Sequence, residues 1–209
     1  MTPEEVRARL AFDAMGLASK ARLRLTGWRA NDRLDPGFRA LTTVVRVPVP
    51  VGERIEAALA PIRTRWPGHV YYPPVSMHAT VLNLDPYVPV GRTPDEVVAA
   101  AAEALARHRR FRITLRSLNV SPWTVFAEAH GADAPVSALR SSLRHALPAQ
   151  ADAPRRDSPL RRALPLVLAN AVRFSGPVDH GLLRALRPWR AHTFGRSRCV
   201  RSRSFVPMG

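Results

Sequence analysis

Residues 76–84 read Ser76-Met77-His78-Ala79-Thr80-Val81-Leu82-Asn83-Leu84, and this stretch decides how the chain is interpreted. Its apolar and β-branched residues, closed by Asp85-Pro86, predict a strand over 77–84. Residues two apart in a strand point to the same face, so His78 and Thr80 are neighbours there. An imidazole beside a hydroxyl can move a proton while the hydroxyl holds a phosphoryl oxygen. The same pair also occurs in strands where both residues are only structural.

The segments around this strand predict a mixed α+β chain. Hydrophobic periodicity and turn residues predict strands over 41–47, 111–120, 124–129, 164–174 and 198–206. Helical spacing predicts helices over 55–66, from 94 toward 108, over 136–147 and over 182–189. The order strand, helix, strand recurs in the second half. It therefore predicts two pseudo-symmetric lobes that face each other across a central cleft.

Changes in pattern mark a segment before the main domain and a segment within it. In 1–25, a helical spacing of Val6, Leu10, Ala14 and Leu17 predicts an N-terminal amphipathic helix that precedes a single domain over 26–209. Residues 148–163 are rich in Pro, Ala and Arg and lack apolar periodicity, so we expect a flexible loop there.

The composition is that of a globular protein with a strong positive charge. The chain has 209 residues, 46% hydrophobic and 23% charged, and a formal net charge of +16. The electric field of such a charge concentrates phosphate-bearing ligands near the protein, so RNA is a possible partner. An equal explanation of the charge is an Arg-rich composition whose arginines are only solvated. No apolar run reaches the roughly 20 residues of a membrane span, so we expect a cytoplasmic protein with no membrane partner.

Cysteine and histidine placement gives no sign of a metal centre. A single cysteine, Cys199, excludes an internal disulfide framework and a cysteine zinc cluster. No histidine pair has the spacing of a metal motif, and no glycine-rich phosphate loop occurs. We therefore expect no metal and no cofactor.

The stretch 71–84 resembles the first signature of the 2H phosphoesterases, which include 2′-5′ RNA ligase-like proteins and cyclic phosphodiesterases. Segments 26–28, 118–127 and 169–177 extend the resemblance over roughly residues 26 to 206. It implies a two-lobed, pseudo-symmetric α+β fold with antiparallel sheets flanked by helices around a central cleft, in which each lobe supplies a His-x-Thr or His-x-Ser strand. The two histidines act as general acid and general base on a phosphodiester. His78 and Thr80 match the first of these motifs.

The second motif is degenerate. When the chain is aligned on Arg173-Phe174, the second histidine falls on Leu168 and the second hydroxyl residue on Asn170. Leucine neither donates nor accepts a proton, so the two-histidine mechanism lacks one partner. The amide of Asn170 can still hydrogen-bond a phosphate oxygen.

Three further residues are candidate ligand-binding residues. Tyr72 lies in the segment before the first motif, and Arg173 lies at the anchor of the second. His130 follows the predicted strand 124–129 and is the first candidate to replace the missing histidine.

Three functions are compatible with one intact motif. The chain could be an enzyme acting on a cyclic or 2′,5′-linked phosphodiester of RNA or a nucleotide. It could be a repurposed enzyme of small-molecule, secondary-metabolite biosynthesis that uses His78 as a lone acid/base for cyclisation, isomerisation or elimination. It could also be a non-catalytic nucleotide- or RNA-binding module. An apolar wall around His78 would favour the second, whereas arginines near Thr80 would favour the first or third.

Overall fold

The computed structural model describes residues 3–26, 41–88, 94–131, 133–147 and 166–199. These residues form an α+β fold, as predicted; the predicted loop 148–163 lies outside them. The helices are α1 (Pro3–Thr26), α2 (Val49–Arg65), α3 (Pro94–Ala106), α4 (Asp133–Ala146) and α5 (His180–Ala185), with short 3-10 turns at Pro74–Ser76, Asp85–Tyr87 and Arg187–Ala191.

Seven antiparallel strands form one sheet within the described residues. They are β1 (Thr42–Arg46), β2 (Val70–Tyr71), β3 (His78–Asn83), β4 (Phe111–Val120), β5 (Thr124–His130), β6 (Val167–Arg173) and β7 (Thr193–Cys199). The sheet order is β1-β3-β6-β5-β4-β7, with β2 paired to β6. The predicted strands at 41–47, 77–84, 111–120, 124–129 and 164–174 are thus confirmed, with shifts of a few residues at their ends.

Most of the predicted strand 198–206 lies outside the described residues, which end at Cys199, and the start of the strand was predicted too late. The observed edge strand β7 begins at Thr193, where Phe194 is buried against Trp189 and His192. It pairs with β4 from Arg116 back to Phe111. The strand begins earlier than expected because its buried aromatic residue, Phe194, precedes the arginine-rich run over 196–203 on which the prediction was based.

The sheet has a narrow junction between β3 and β6. These two strands pair at a single position, Ala79 with Ala169, whereas β5 and β6 pair along their length. Arg140 of α4 spans the two strands, donating from Nε to the Val81 carbonyl at 2.7 Å and from Nη2 to the Leu166 carbonyl at 3.1 Å. The junction joins a β1–β3 part to a β6–β5–β4–β7 part, while the pseudo-symmetry of two lobes stays a prediction.

One face of the sheet carries the main core. Helix α2 contributes Ile55, Leu59 and Ile62, and helix α4 contributes Val136, Leu139 and Leu143, all buried as their helical spacing predicts. Small residues of the sheet, Ala79, Ala127 and Ala169, are buried in the same cluster. Because these alanines point to the helices, their strand neighbours point to the opposite face.

Helix α1 was predicted as a helix correctly, but its buried side was predicted wrongly. The expected apolar stripe is exposed, with Leu10 at 63% and Leu17 at 67%. The buried side consists of Ala8, Ala11, Phe12, Ser19 and Leu23. Small residues around one phenylalanine let the helix approach the sheet closely, and this packing outweighs the spacing of the larger aliphatic residues. In the part of the chain described here, no helix has the length and apolar character needed to cross a membrane.

Candidate functional site

His78 begins β3, and Met77 separates it from the 3-10 turn of Pro74–Ser76. Its Nδ1 lies 2.8 Å from the Ser76 carbonyl oxygen. A carbonyl oxygen only accepts, so Nδ1 carries the hydrogen and donates it. This hydrogen bond fixes the ring and leaves Nε2 of the neutral imidazole as the proton acceptor. Nε2 is therefore the ring atom of His78 that is available for proton transfer.

The register of β3 on β6 brings the two motifs to one face. Ala79 pairs with Ala169, and the residues on either side of each alanine point away from the helical core. These residues are His78, Thr80, Leu168 and Asn170, and all four are partly exposed. The two strands therefore lie side by side, whereas the roles of the side chains stay predictions.

An antiparallel pair has a local two-fold axis, here at the Ala79–Ala169 position. The axis relates His78 to Leu168 and Thr80 to Asn170. Diagonal neighbours on one face of such a pair lie about 7–8 Å apart. Leu168 is therefore within reach of the same small ligand as His78, whereas its match to a lost second histidine stays a prediction.

Arg46 is a candidate site residue that sequence analysis missed. The register of β1 on β3 places Arg46 opposite His78 and Val44 opposite Thr80. Opposite residues share a face, so the exposed side chain of Arg46 lies on the same face as His78. The only sign of Arg46 in the sequence was its position at the end of an otherwise uncharged strand. Its proximity to His78 could not be predicted because the strand that pairs with β1 was unknown.

The other neighbour of β6 is β5, whose side chains on this face are buried. Glu128 is opposite Leu168, and Phe126 is opposite Asn170. His130 is 6% exposed, with its Nε2 3.1 Å from Glu128 Oε2 and its ring 5.3 Å from that of Phe12. His130 therefore shares the face but is covered by α1, and it does not reach the open surface beside His78.

Tyr72 and Arg173 are not brought to this face. Tyr72 lines a small hollow with Met77 and Ala171, which alternate with His78 and Asn170 and so point to the opposite side. The Arg173 guanidinium lies 5.8 Å from the centre of the Tyr72 ring. A ligand role for these two residues stays a prediction, separate from the His78 face.

Two further histidines have local, structural contacts. His69 packs edge-on against Phe174 at 5.3 Å, and partial burial lowers the pKa of His69 below its ordinary value. His192 packs against Trp189 and Phe194. Among the described residues, no group of three histidine, cysteine or acidic side chains could hold a metal ion.

No family model matches the chain, and no curated protein matches it. Among solved structures, it is similar to TT0787 of Thermus thermophilus, with 20% identity and a TM-score of 0.48, over 77% of this chain and 84% of that one. It is also similar to E. coli LigT, solved in complex with ATP, with 14% identity and a TM-score of 0.41, over 68% and 79% of the two chains. Over most of its length the chain is thus similar to two solved bacterial proteins.

Proposed function

We propose that the face formed by β1, β3 and β6 binds a phosphodiester or nucleotide-like ligand, with His78 as its single acid/base. The chain is then a 2H phosphoesterase-like protein with one intact motif. The observation that carries the proposal is the Ala79–Ala169 register, which gathers His78, Thr80 and Asn170 on one partly exposed face.

Each polar group on this face suits one part of a phosphodiester. The Thr80 hydroxyl and the Asn170 amide donate hydrogen bonds to non-bridging oxygens. The guanidinium of Arg46, opposite His78, supplies positive charge and planar donors that match phosphate geometry. His78 Nε2 accepts a proton in the neutral form and donates one in the charged form.

The proposed site lacks half of an acid/base pair. In-line hydrolysis needs one group to take a proton from water and another to protonate the leaving oxygen. Leu168 stands where the second group would be and can do neither. We therefore propose that ligand binding persists and that conventional two-histidine hydrolysis is weak.

The second candidate is lone acid/base chemistry on a substrate without phosphate. Val44 and Leu168 are two apolar residues on this face, and Val44 lies opposite Thr80. They supply one apolar wall for a small organic substrate. Arg46 beside His78 favours the phosphate ligand over this alternative.

The proposal is tested by calorimetric titration with 2′,3′-cyclic AMP, using adenosine as the ligand without phosphate. We expect the cyclic nucleotide to bind at least about tenfold more tightly. Thr80→Val and Arg46→Gln should each weaken its binding about tenfold, because a hydrogen bond to a charged group contributes about 1.5–3 kcal/mol.

Matched controls are Thr114→Val on β4 and Arg63→Gln on α2, which change the same residue types away from the open part of the face. Neither should change the affinity appreciably. Equal affinity for adenosine and the cyclic nucleotide would instead support the substrate without phosphate.

A further inference from the structure

Helix α1 covers part of the face that carries His78. The ring of Phe12 lies 6.2 Å from Phe126 and 5.3 Å from His130, and its exposed fraction is 0%. Phe126 pairs with Asn170, and opposite residues in a sheet share a face. The helix therefore lies on the same side of the sheet as His78 and Thr80.

The helix is held tightly to this face. Asn119 of β4 donates from Nδ2 to the Phe12 carbonyl at 3.0 Å and to Glu128 Oε1 at 2.9 Å. At Gly16 a Cβ atom would lie 2.9 Å from Asn119 Cγ and closer still to its amide atoms. A larger residue at position 16 therefore requires either the helix or the buried, hydrogen-bonded side chain of Asn119 to shift.

Burial divides the face into a covered and an open part. All seven residues of β5 are buried. On β3 and β6, His78, Thr80, Leu168 and Asn170 stay partly exposed. The open part spans β1, β3 and β6, which is about 10 Å across at the usual strand spacing.

We infer that α1 restricts the ligand to a nucleotide-sized phosphodiester and excludes a phosphodiester in the interior of an RNA strand. An interior linkage has polymer on both sides, and α1 blocks the side toward β5. A cyclic mononucleotide needs only the open part. This inference rests on the proposed function and names the size class of its ligand.

The test compares two ligands in competition at about physiological salt. One is 2′,3′-cyclic AMP, and the other is a ten-nucleotide single-stranded RNA with one central 2′,5′ linkage. Competition is needed because a chain of net charge +16 attracts long polyanions non-specifically elsewhere on its surface. For the unaltered protein we expect binding of the cyclic nucleotide and no displacement by the RNA.

Two substitutions in α1 are designed to reduce its coverage of the face. Gly16→Val forces α1 away from Asn119, and Phe12→Ala removes the side chain over β5. With folding checked by thermal unfolding, each should let the RNA displace the cyclic nucleotide, with at least a tenfold gain in competition. Leu17→Ser, on the exposed side of α1 at 67%, should behave like the unaltered protein.

Each result has a distinct meaning. If the RNA displaces the cyclic nucleotide from the unaltered protein, the inference is overturned and the proposed function stays intact. Continued exclusion of the RNA by a folded Gly16→Val or Phe12→Ala variant would show that α1 is not the barrier. Failure of the cyclic nucleotide to bind at all would overturn the proposed function, and the inference with it.

Discussion

Leu168→His is expected to raise the hydrolysis of 2′,3′-cyclic AMP by about a hundredfold or more over the unaltered protein. One positioned acid or base contributes roughly a hundredfold to ten-thousandfold in rate. The Ala79–Ala169 register presents position 168 on the same face as His78, across the local two-fold axis. The new imidazole would face the same phosphate and supply the missing proton transfer.

The measurement is the initial rate of ring opening, followed by chromatography of the nucleotide products. Leu168→Gln is the matched control, because glutamine is polar but transfers no proton at neutral pH. It should leave the rate unchanged. Robust turnover by the unaltered protein would contradict the degenerate-site interpretation, since another residue would then be supplying the second acid or base.

His78→Ala is expected to abolish any residual hydrolysis of the unaltered protein. When combined with Leu168→His, it should lower the hydrolysis rate about a hundredfold or more relative to Leu168→His alone. The physical reason is that Nε2 of His78, oriented by the bond from Nδ1 to the Ser76 carbonyl, is the only proposed proton-transfer atom of the native face.

His145→Ala is a close control for this loss. His145 also has its Nδ1 2.8 Å from a backbone carbonyl oxygen, that of Ser141, but it lies in the last turn of α4. Its replacement should leave the rates unchanged. A His78→Ala protein that keeps the activity of its parent would remove His78 from the chemistry.

Most elements could be predicted from the sequence because their patterns are local. The four-and-three spacing of Ile55, Leu59 and Ile62 identifies α2, and proline after a threonine marks the start of α3 at Pro94. Period-2 geometry also places His78 and Thr80 on one face without knowledge of the neighbouring strands.

Strand pairing is not local, and the missed features depend on it. Arg46 joins the face only because β1 pairs with β3 in the register that sets it opposite His78. The coverage of His130 depends on α1 crossing the hairpin of β4 and β5. The buried side of α1 escaped prediction because Gly16 and its small neighbours carry little hydrophobic signal, although they permit the closest packing.

The most direct test of the central claim is nitrogen-15 NMR of the histidine rings during titration with 2′,3′-cyclic AMP. The chain has seven histidines, each of which can be assigned by single substitution. We expect the largest change at His78 Nε2, with His78 Nδ1 remaining protonated by its bond to Ser76. Little change is expected at His69 or His192. An unchanged His78 spectrum at saturating ligand, with the shift at another histidine, would contradict a phosphodiester site on this face.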